Sequence, residues 1–185
     1  MKFKGILLDL DNTLYDYNKA HGAALKAVFS SVESKFSLEQ SKLTKAYTQA
    51  RHSVASNLKY TAASHNRILY FQTMLENCQI YSSQETLSLY DIYWNTFLEN
   101  MHLFDGAISF LEKVKPEKIC VITDLTAHIQ HRKIIKLGIE KYESHLVTSE
   151  EVGIEKPHPK IFSTALQKLG LNAHEVCMIG DNFAK

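Results

Sequence analysis

The chain has 185 residues, of which 45% are hydrophobic and 22% are charged. These proportions are typical of a globular domain with enough apolar side chains for a core, and they exclude disordered and collagen-like chains. Lys and Arg total 21 against 20 for Asp and Glu, so no net field attracts a nucleic acid polymer or an anionic membrane. The first apolar run, residues 6–8, is too short for a signal peptide or a membrane span. We therefore predict a cytoplasmic protein.

Four short apolar runs predict β-strands that are buried on both faces of a parallel sheet. Each run ends in a hydroxyl-bearing or acidic residue, at the end of the strand where open α/β sheets bind ligands. Helical patterns separate the later runs, with Gly138 and Gly170 placed as C-terminal caps. The order of strands and helices predicts an α/β fold with a Rossmann-like parallel sheet. The predicted strands are 5–8, 119–122, 145–147 and 176–179, and the intervening helices are 125–137 and 159–169.

Residues 16–100 have a different pattern, without a clear strand and almost without Gly or Pro. Ser37 and Ser82 each stand three residues before Gln or Glu, the spacing of a capping box at the start of a helix. We therefore predict that residues 1–15 and 101–185 form the core and that 16–100 is an inserted α-helical domain. Its four predicted helices are 18–35, 38–58, 64–78 and 84–100, and a further helix, 106–114, leads back to the sheet.

Two acidic residues, Asp9 and Asp11, stand where the first predicted strand ends. The alternation of side chains in an extended chain puts both carboxylates on one side. Two carboxylates so close do not both ionise readily unless a cation lies between them or one stays protonated. Either arrangement suits catalysis, with a divalent metal beside a nucleophilic acid and the other acid as proton donor. The alternative is a solvated strand end, or acids that cap the next segment.

Four motifs follow one another along the chain, three of them at the ends of predicted strands and one before a predicted helix. Residues 9–14 read Asp-Leu-Asp-Asn-Thr-Leu after the first strand, and Thr123 follows the second. Lys156 precedes a proline before a helix, and Asp181 follows a glycine after the last strand. In this order the motifs, which extend over residues 4–185, resemble those of the haloacid dehalogenase-like (HAD) hydrolase superfamily. The insertion between the first two motifs resembles the helical type-one cap of that family.

The resemblance implies a role for each matching residue. Asp9 would be the nucleophile that forms an aspartyl-phosphate, and Asp11 the general acid and base. Thr123 would donate a hydrogen bond to a phosphate oxygen. Lys156 would offset the negative charge of Asp9 and of the phosphate. A phosphate dianion and a carboxylate nucleophile repel each other, so cations are needed at such a site on physical grounds as well.

The resemblance also implies a magnesium site. Its ligands would be the carboxylates of Asp9 and Asp181 and the backbone carbonyl of Asp11. Asp124 departs from the family pattern, which usually has Asn there, so we expect only its backbone amide to bind phosphate. The family's fourth motif normally ends in a further acid, which would fall one position beyond Lys185. We therefore expect the core to be truncated at its C-terminus.

The presence of Asp11 favours a phosphatase, because halide needs no proton to leave and the dehalogenases of the family lack an acid there. The motifs look most like those of phosphatases for small metabolites, so we predict Mg²⁺-dependent hydrolysis of a nucleotide or sugar-phosphate monoester. A small phosphorylated metabolite would be the partner. A phosphomutase would share every motif, and a catalytically silent binding protein is a further alternative; a dehalogenase is a distant one. The substrate and the oligomeric state stay open.

Two other groups of residues are candidates for a function. His128 and His131 are three residues apart on a predicted helix, and a solvated surface pair is favoured over a metal site because no third ligand is evident. Tyr15 and Tyr17 follow the first motif, where they line a pocket or pack against the cap.

Overall fold

The structure is a computed structural model that describes residues 3–114 and 118–182. The outer ends of the predicted core, residues 1–2 and 183–185, lie outside this range. The described residues form four β-strands and eight α-helices. The strands are β1 Gly5–Leu8, β2 Lys118–Thr123, β3 His145–Thr148 and β4 Val176–Ile179, and the helices are α1 Tyr17–Phe36, α2 Gln40–Asn57, α3 Arg67–Asn77, α4 Ser83–Glu99, α5 Ala107–Val114, α6 Ala127–Leu137, α7 Ser149–Val152 and α8 Pro159–Leu169.

The four strands form one parallel sheet in the order β3-β2-β1-β4. The central strand β1 aligns Leu7 with Cys120 on one side and with Met178 on the other. This confirms the predicted parallel α/β fold with inserted helices. Since all four strands run in the same direction, their carboxyl ends meet at one edge of the sheet.

Helix α8 covers one face of the sheet. Its residues Ile161, Ala165 and Leu169 recur at helical spacing and are buried against β2, β3 and α7. The helix begins at Pro159 and ends before Gly170, whose φ of +65° is the left-handed conformation expected of a C-terminal glycine. This short-range chemistry sets the ends of α8 as the sequence predicts.

The chain divides into two compact units. The core unit comprises the described residues of Met1–Tyr17, Tyr60–Ala62 and Met101–Lys185, and the helical unit comprises Asn18–Lys59 and Ala63–Asn100. The helical unit contains nearly all of α1 together with α2–α4. No helix in the described part of the chain is long and apolar enough to cross a membrane. The buried core of the helical unit is aromatic, and pairwise ring contacts link Tyr47, Tyr70, Phe71, Tyr93, Trp94 and Phe97.

Of the two predicted capping boxes, one is wrong and the other is confirmed only as an N-cap. Ser82 caps α4, and its side chain accepts a hydrogen bond from the Glu85 amide at 3.2 Å. Ser37 does not cap α2, because it lies at the end of α1 with a φ of +53° and its amide donates to the Glu33 carbonyl. The N-cap residue of α2 is Glu39, whose side chain makes no capping hydrogen bond.

His21, on α1, lies within the aromatic core of the helical unit. Its Nδ1 is 2.6 Å from the Tyr93 hydroxyl, and the Arg67 guanidinium lies 5.2 Å from the centre of the same tyrosine ring. Burial, followed by the positive charges of Arg67 and Arg51, lowers the pKa of His21 to about 4. His21 is therefore neutral at pH 7.

We expect this histidine to make the protein less stable in acid. The folded pKa lies below the unfolded value of about 6.5, so the unfolded state binds more protons as the pH falls from about 6.5 to 4. The free energy of unfolding should therefore fall by about 1 kcal/mol per pH unit at most in that window. Urea denaturation at pH 7, 6, 5 and 4.5 should show a smaller loss for His21→Asn than for the wild type.

The matched control is His131→Asn, which replaces an exposed histidine on α6. In this variant the free energy of unfolding should change with pH as it does in the wild type. Parallel loss of stability in the wild type and in His21→Asn would contradict the low pKa of His21.

Candidate active site

The candidate residues meet at the carboxyl edge of the sheet. Asp9 directly follows β1, Thr123 ends β2, and Asp181 lies two residues after β4. The Asp9 amide donates to the Ile179 carbonyl at 2.9 Å, which extends the pairing of β1 with β4 by one step. The parallel register thus brings together residues that are far apart in the chain.

The Asp9 carboxylate is buried and is paired with a buried lysine. Asp9 and Lys156 are each 7% exposed, and the Lys156 ammonium forms an ion pair with Oδ1 of Asp9. The Thr13 hydroxyl donates to Oδ2 at 2.9 Å. Burial raises the pKa of the Asp9 carboxyl above its usual value, against the opposing influence of Lys156 and Thr13. Asp9 is thus an enclosed carboxylate with one charged and one neutral donor.

The Asp11 carboxylate has a lysine of its own. The Lys133 ammonium, whose side chain is fully buried, donates to Oδ1 at 2.7 Å and to Oδ2 at 2.9 Å. The Tyr15 hydroxyl also donates to Oδ1. Burial acts to raise the pKa of Asp11, but the charge of Lys133 and the hydrogen bonds from Lys133 and Tyr15 outweigh it and hold the pKa below its usual range. The two neighbouring acids therefore have separate cationic partners.

The turn after β2 is held by side chains from α6 and α7. Nε2 of Gln130 donates to the Thr123 hydroxyl oxygen at 2.8 Å and to the Asp124 carbonyl at 2.6 Å. Leu125 has a φ of +103°, and its amide donates to the Ser149 hydroxyl at 2.9 Å. These contacts fix the backbone that follows Thr123 in an uncommon conformation for a branched residue.

The Asp124 side chain holds the segment that carries Lys156. Its Oδ1 accepts a hydrogen bond from the Lys156 amide at 2.9 Å. The Lys156 ammonium is held in turn by the Ile122 carbonyl at 3.3 Å and by Asp9. The Asp124 carboxylate thus has a structural role, because it connects the turn after β2 to the backbone of the lysine that pairs with Asp9.

Asp181 reaches the same edge through Thr13. The Asp181 amide donates to the Thr13 hydroxyl at 3.0 Å, and that hydroxyl donates to Asp9. The chain passes so close to Asp9 at Gly180 that an added Cβ would lie 3.3 Å from the Cβ of Asp9. Glycine therefore permits the approach of Asp181 to Asp9.

The predicted magnesium ligands are all oxygen atoms, which is the donor chemistry that Mg²⁺ prefers. They comprise the Asp9 and Asp181 carboxylates and the Asp11 carbonyl. Within residues 3–114 and 118–182, no three His, Cys, Asp or Glu side chains form a metal-binding group. The predicted site has only two carboxylate side chains and one backbone carbonyl, so it would not form a group of three. Its oxygen atoms are chemically suited to Mg²⁺. The metal site stays a prediction.

Sequence reasoning missed Lys133 and Gln130. Both lie on the buried face of α6 among Ile129, Ile134 and Leu137. The signal was present, because polar residues at the core positions of an amphipathic helix need buried partners. His128 and His131 on the same helix are exposed. The structure brings the six predicted residues to one edge of the sheet: Asp9, Asp11, Thr123, Asp124, Lys156 and Asp181.

Comparison with known proteins identifies the family. A model of the family described as haloacid dehalogenase-like hydrolase matches residues 3–184. The chain belongs to this family. It is therefore a hydrolase, and the predicted family is confirmed.

Two curated relatives extend over nearly the whole chain. One is similar to it at 35% identity, over 96% of this chain and 76% of its own length, and is named ribulose-1,5-bisphosphate 5-phosphatase of Halopiger xanaduensis. The other is 27% identical over 98% of this chain and 78% of its own length, and is named glyceraldehyde 3-phosphate phosphatase of Methanocaldococcus jannaschii.

Solved structures agree on the fold. The HAD-hydrolase YfnB of Bacillus subtilis, solved with magnesium bound, is similar to this chain with a TM-score of 0.74. The likeness covers 100% of this chain and 82% of YfnB at 18% identity. At that level of identity the likeness supports the HAD-like fold of this hydrolase.

The ion pair of Asp9 and Lys156 should be detectable by denaturation. Lys156→Met leaves a buried carboxylate without its cation, so we expect the free energy of unfolding to fall by about 3–5 kcal/mol. The double variant Asp9→Asn with Lys156→Met removes both charges and should recover much of this loss. Urea denaturation of the wild type, both single variants and the double variant measures the coupling. Additive effects of the two substitutions would contradict the pairing.

Proposed function

We propose that this HAD-like hydrolase is a magnesium-dependent phosphatase of small phosphate monoesters and that Asp9 is its nucleophile. The observation that carries the proposal is the enclosed Asp9 carboxylate, which lies at a strand end beside Lys156, with the second acid Asp11 two residues away. Phosphoryl transfer depends mainly on positioning and on neutralising charge. This arrangement supplies a nucleophile, a cation and a proton carrier at one edge of the sheet.

In the proposed reaction a carboxylate oxygen of Asp9 attacks the phosphorus of the ester. The new bond from Asp9 to phosphorus forms as the bond from phosphorus to the ester oxygen breaks, and Asp11 gives its proton to the departing oxygen. Asp11 then takes a proton from water, whose oxygen attacks the aspartyl-phosphate. Inorganic phosphate leaves and the Asp9 carboxylate is restored.

The surrounding residues favour both steps. The Lys156 ammonium offsets the repulsion between Asp9 and the incoming phosphate, and the Thr123 hydroxyl would donate to a phosphate oxygen. The Asp9 carboxylate, the Asp11 carbonyl and the Asp181 carboxylate would hold magnesium, which supplies further positive charge beside the phosphate when bound.

The first step of the proposed reaction needs Asp11 in its protonated form. In the free protein Lys133 and Tyr15 hold the pKa of Asp11 below its usual range, whereas the first step needs a proton on this carboxyl. A phosphate dianion placed beside Asp11 raises the pKa of the carboxyl by adding negative charge.

Phosphorylated sugars are the preferred substrate class. Two relatives are named for phosphatases of phosphorylated carbohydrates and a third, 29% identical, for a pyrimidine 5'-nucleotidase, so a screen tests small sugar phosphates first and nucleoside monophosphates second. We further propose that the helical unit is the cap of this enzyme and contributes to substrate selection. A cytoplasmic location stays a prediction.

The decisive measurement is hydrolysis of p-nitrophenyl phosphate with magnesium and with an excess of chelator. We expect Asp9→Asn to lower kcat at least about 10³-fold, because the nucleophile is lost, and chelator to abolish turnover. Asp91→Asn, an exposed aspartate on α4, is the matched control and should keep wild-type activity. Turnover that persists with chelator would contradict the magnesium requirement, and turnover in Asp9→Asn would contradict the nucleophile. Transfer of phosphate to a sugar hydroxyl instead of release would identify a phosphomutase.

A further inference from the structure

Helix α6 presents two polar residues on a buried face. Gln130 and Lys133 have no solvent-exposed surface, and they lie among the buried apolar residues Ile129, Ile134 and Leu137. A buried amide or ammonium destabilises a protein unless it is hydrogen-bonded or paired. Because the two residues are three positions apart, they project from the same side of the helix. Their partners therefore indicate what this face of α6 does.

Lys133 holds the Asp11 carboxylate by both oxygens. Its ammonium also lies 5.9 Å from the ring centre of Tyr15 and 5.8 Å from that of Tyr17, so two aromatic rings border the charge. Oδ1 of Asp11 accepts from both Lys133 and Tyr15, and Oδ2 accepts from Lys133. Since a carboxylate oxygen accepts about two hydrogen bonds, Oδ2 keeps the capacity to carry a proton. Lys133 thus fixes the orientation of this carboxylate.

Gln130 holds the Thr123 hydroxyl. The Asp124 carbonyl can only accept a hydrogen bond, so the nitrogen of the Gln130 amide must face it at 2.6 Å. The same nitrogen donates to the Thr123 hydroxyl oxygen at 2.8 Å. The Thr123 hydroxyl itself donates to the Asp124 carbonyl at 3.4 Å, a long contact, so its hydrogen can turn to a closer acceptor such as a phosphate oxygen.

We propose that Lys133 and Gln130 are positioning residues, by which α6 directs the Asp11 carboxylate toward the leaving oxygen and the Thr123 hydroxyl toward the phosphate. This inference rests on the phosphatase function proposed above. Lys133 and Gln130 contact residues of the sequence motifs but belong to none of the four motifs. One rigid helix sets the position of the proton carrier and of a phosphate donor together.

The two residues should have different kinetic signatures. Lys133 acts through Asp11, whose proton is needed when the leaving group is a basic alkoxide and much less when it is p-nitrophenolate. Gln130 acts through Thr123, whose contact with the phosphate is the same for every ester. The effect of removing Lys133 on the rate should therefore depend on the leaving group, and the effect of removing Gln130 should not.

The test compares hydrolysis of p-nitrophenyl phosphate and of glycerol phosphate, both with magnesium. For Lys133→Met we expect kcat to fall about 10²-fold on glycerol phosphate and at most about tenfold on p-nitrophenyl phosphate, with KM nearly unchanged. Lys133→Arg keeps a positively charged side chain that can donate two hydrogen bonds, so it should recover part of the lost kcat. For Gln130→Met we expect KM to rise about tenfold on both esters.

The matched control is Lys136→Met, an exposed lysine one turn along α6, which should keep wild-type kinetics. Thermal unfolding of each variant establishes that it is folded, and Lys133→Gln replaces Lys133→Met if the latter does not fold. Equal losses on the two esters for Lys133→Met or Lys133→Gln would overturn its positioning role. A Gln130→Met enzyme with wild-type KM on both esters would overturn the role of Gln130.

The two proposals fail in different ways. If the wild type is active, Asp9→Asn is inactive and the α6 variants match the wild type, the positioning roles alone are overturned. A wild type that hydrolyses neither ester overturns the phosphatase function and the positioning roles with it.

Discussion

Repulsion between Asp9 and Asp11 is the constraint on which the rest of the site depends. Two carboxylates two residues apart at a strand end do not both stay charged in a partly buried place without positive partners. The protein supplies one lysine for each, Lys156 from the loop before α8 and Lys133 from α6. Each pair is completed by a hydroxyl, from Thr13 or from Tyr15. The first motif is therefore stable only within the folded core unit.

The two carboxylates differ in their environments. Burial raises the pKa of Asp9, whereas Lys133 and Tyr15 hold the pKa of Asp11 below its usual range despite burial. Neighbouring acids with opposite shifts are able to take separate roles in one reaction. In the free protein the shifts run opposite to those needed for the first step of the proposed reaction. The charge of the phosphate and of the metal would thus complete the electrostatics of the site when they bind.

The polar contacts beyond these pairs connect the strand ends to one another. Asp124 ties the turn after β2 to the backbone of Lys156, and the Thr13 hydroxyl ties Asp9 to Asp181. Asp124 was a departure from the family pattern in the sequence, and its contact with Lys156 gives it a structural task. In such a network the loss of one member leaves other buried groups without partners.

The sequence by itself determined the strands, most helix ends and the residues of the four motifs, because periodicity, caps and motif spacing act over a few residues. It predicted the end of α8 at Gly170 and the cap at Ser82, but it failed at Ser37, where the end of α1 competes with the start of α2. Only the tertiary structure decided which lysine serves which acid. Lys133 and Lys156 lie 122 and 147 residues from their partners, and contacts at that distance depend on the order of strands in the sheet and on which face of α6 is buried.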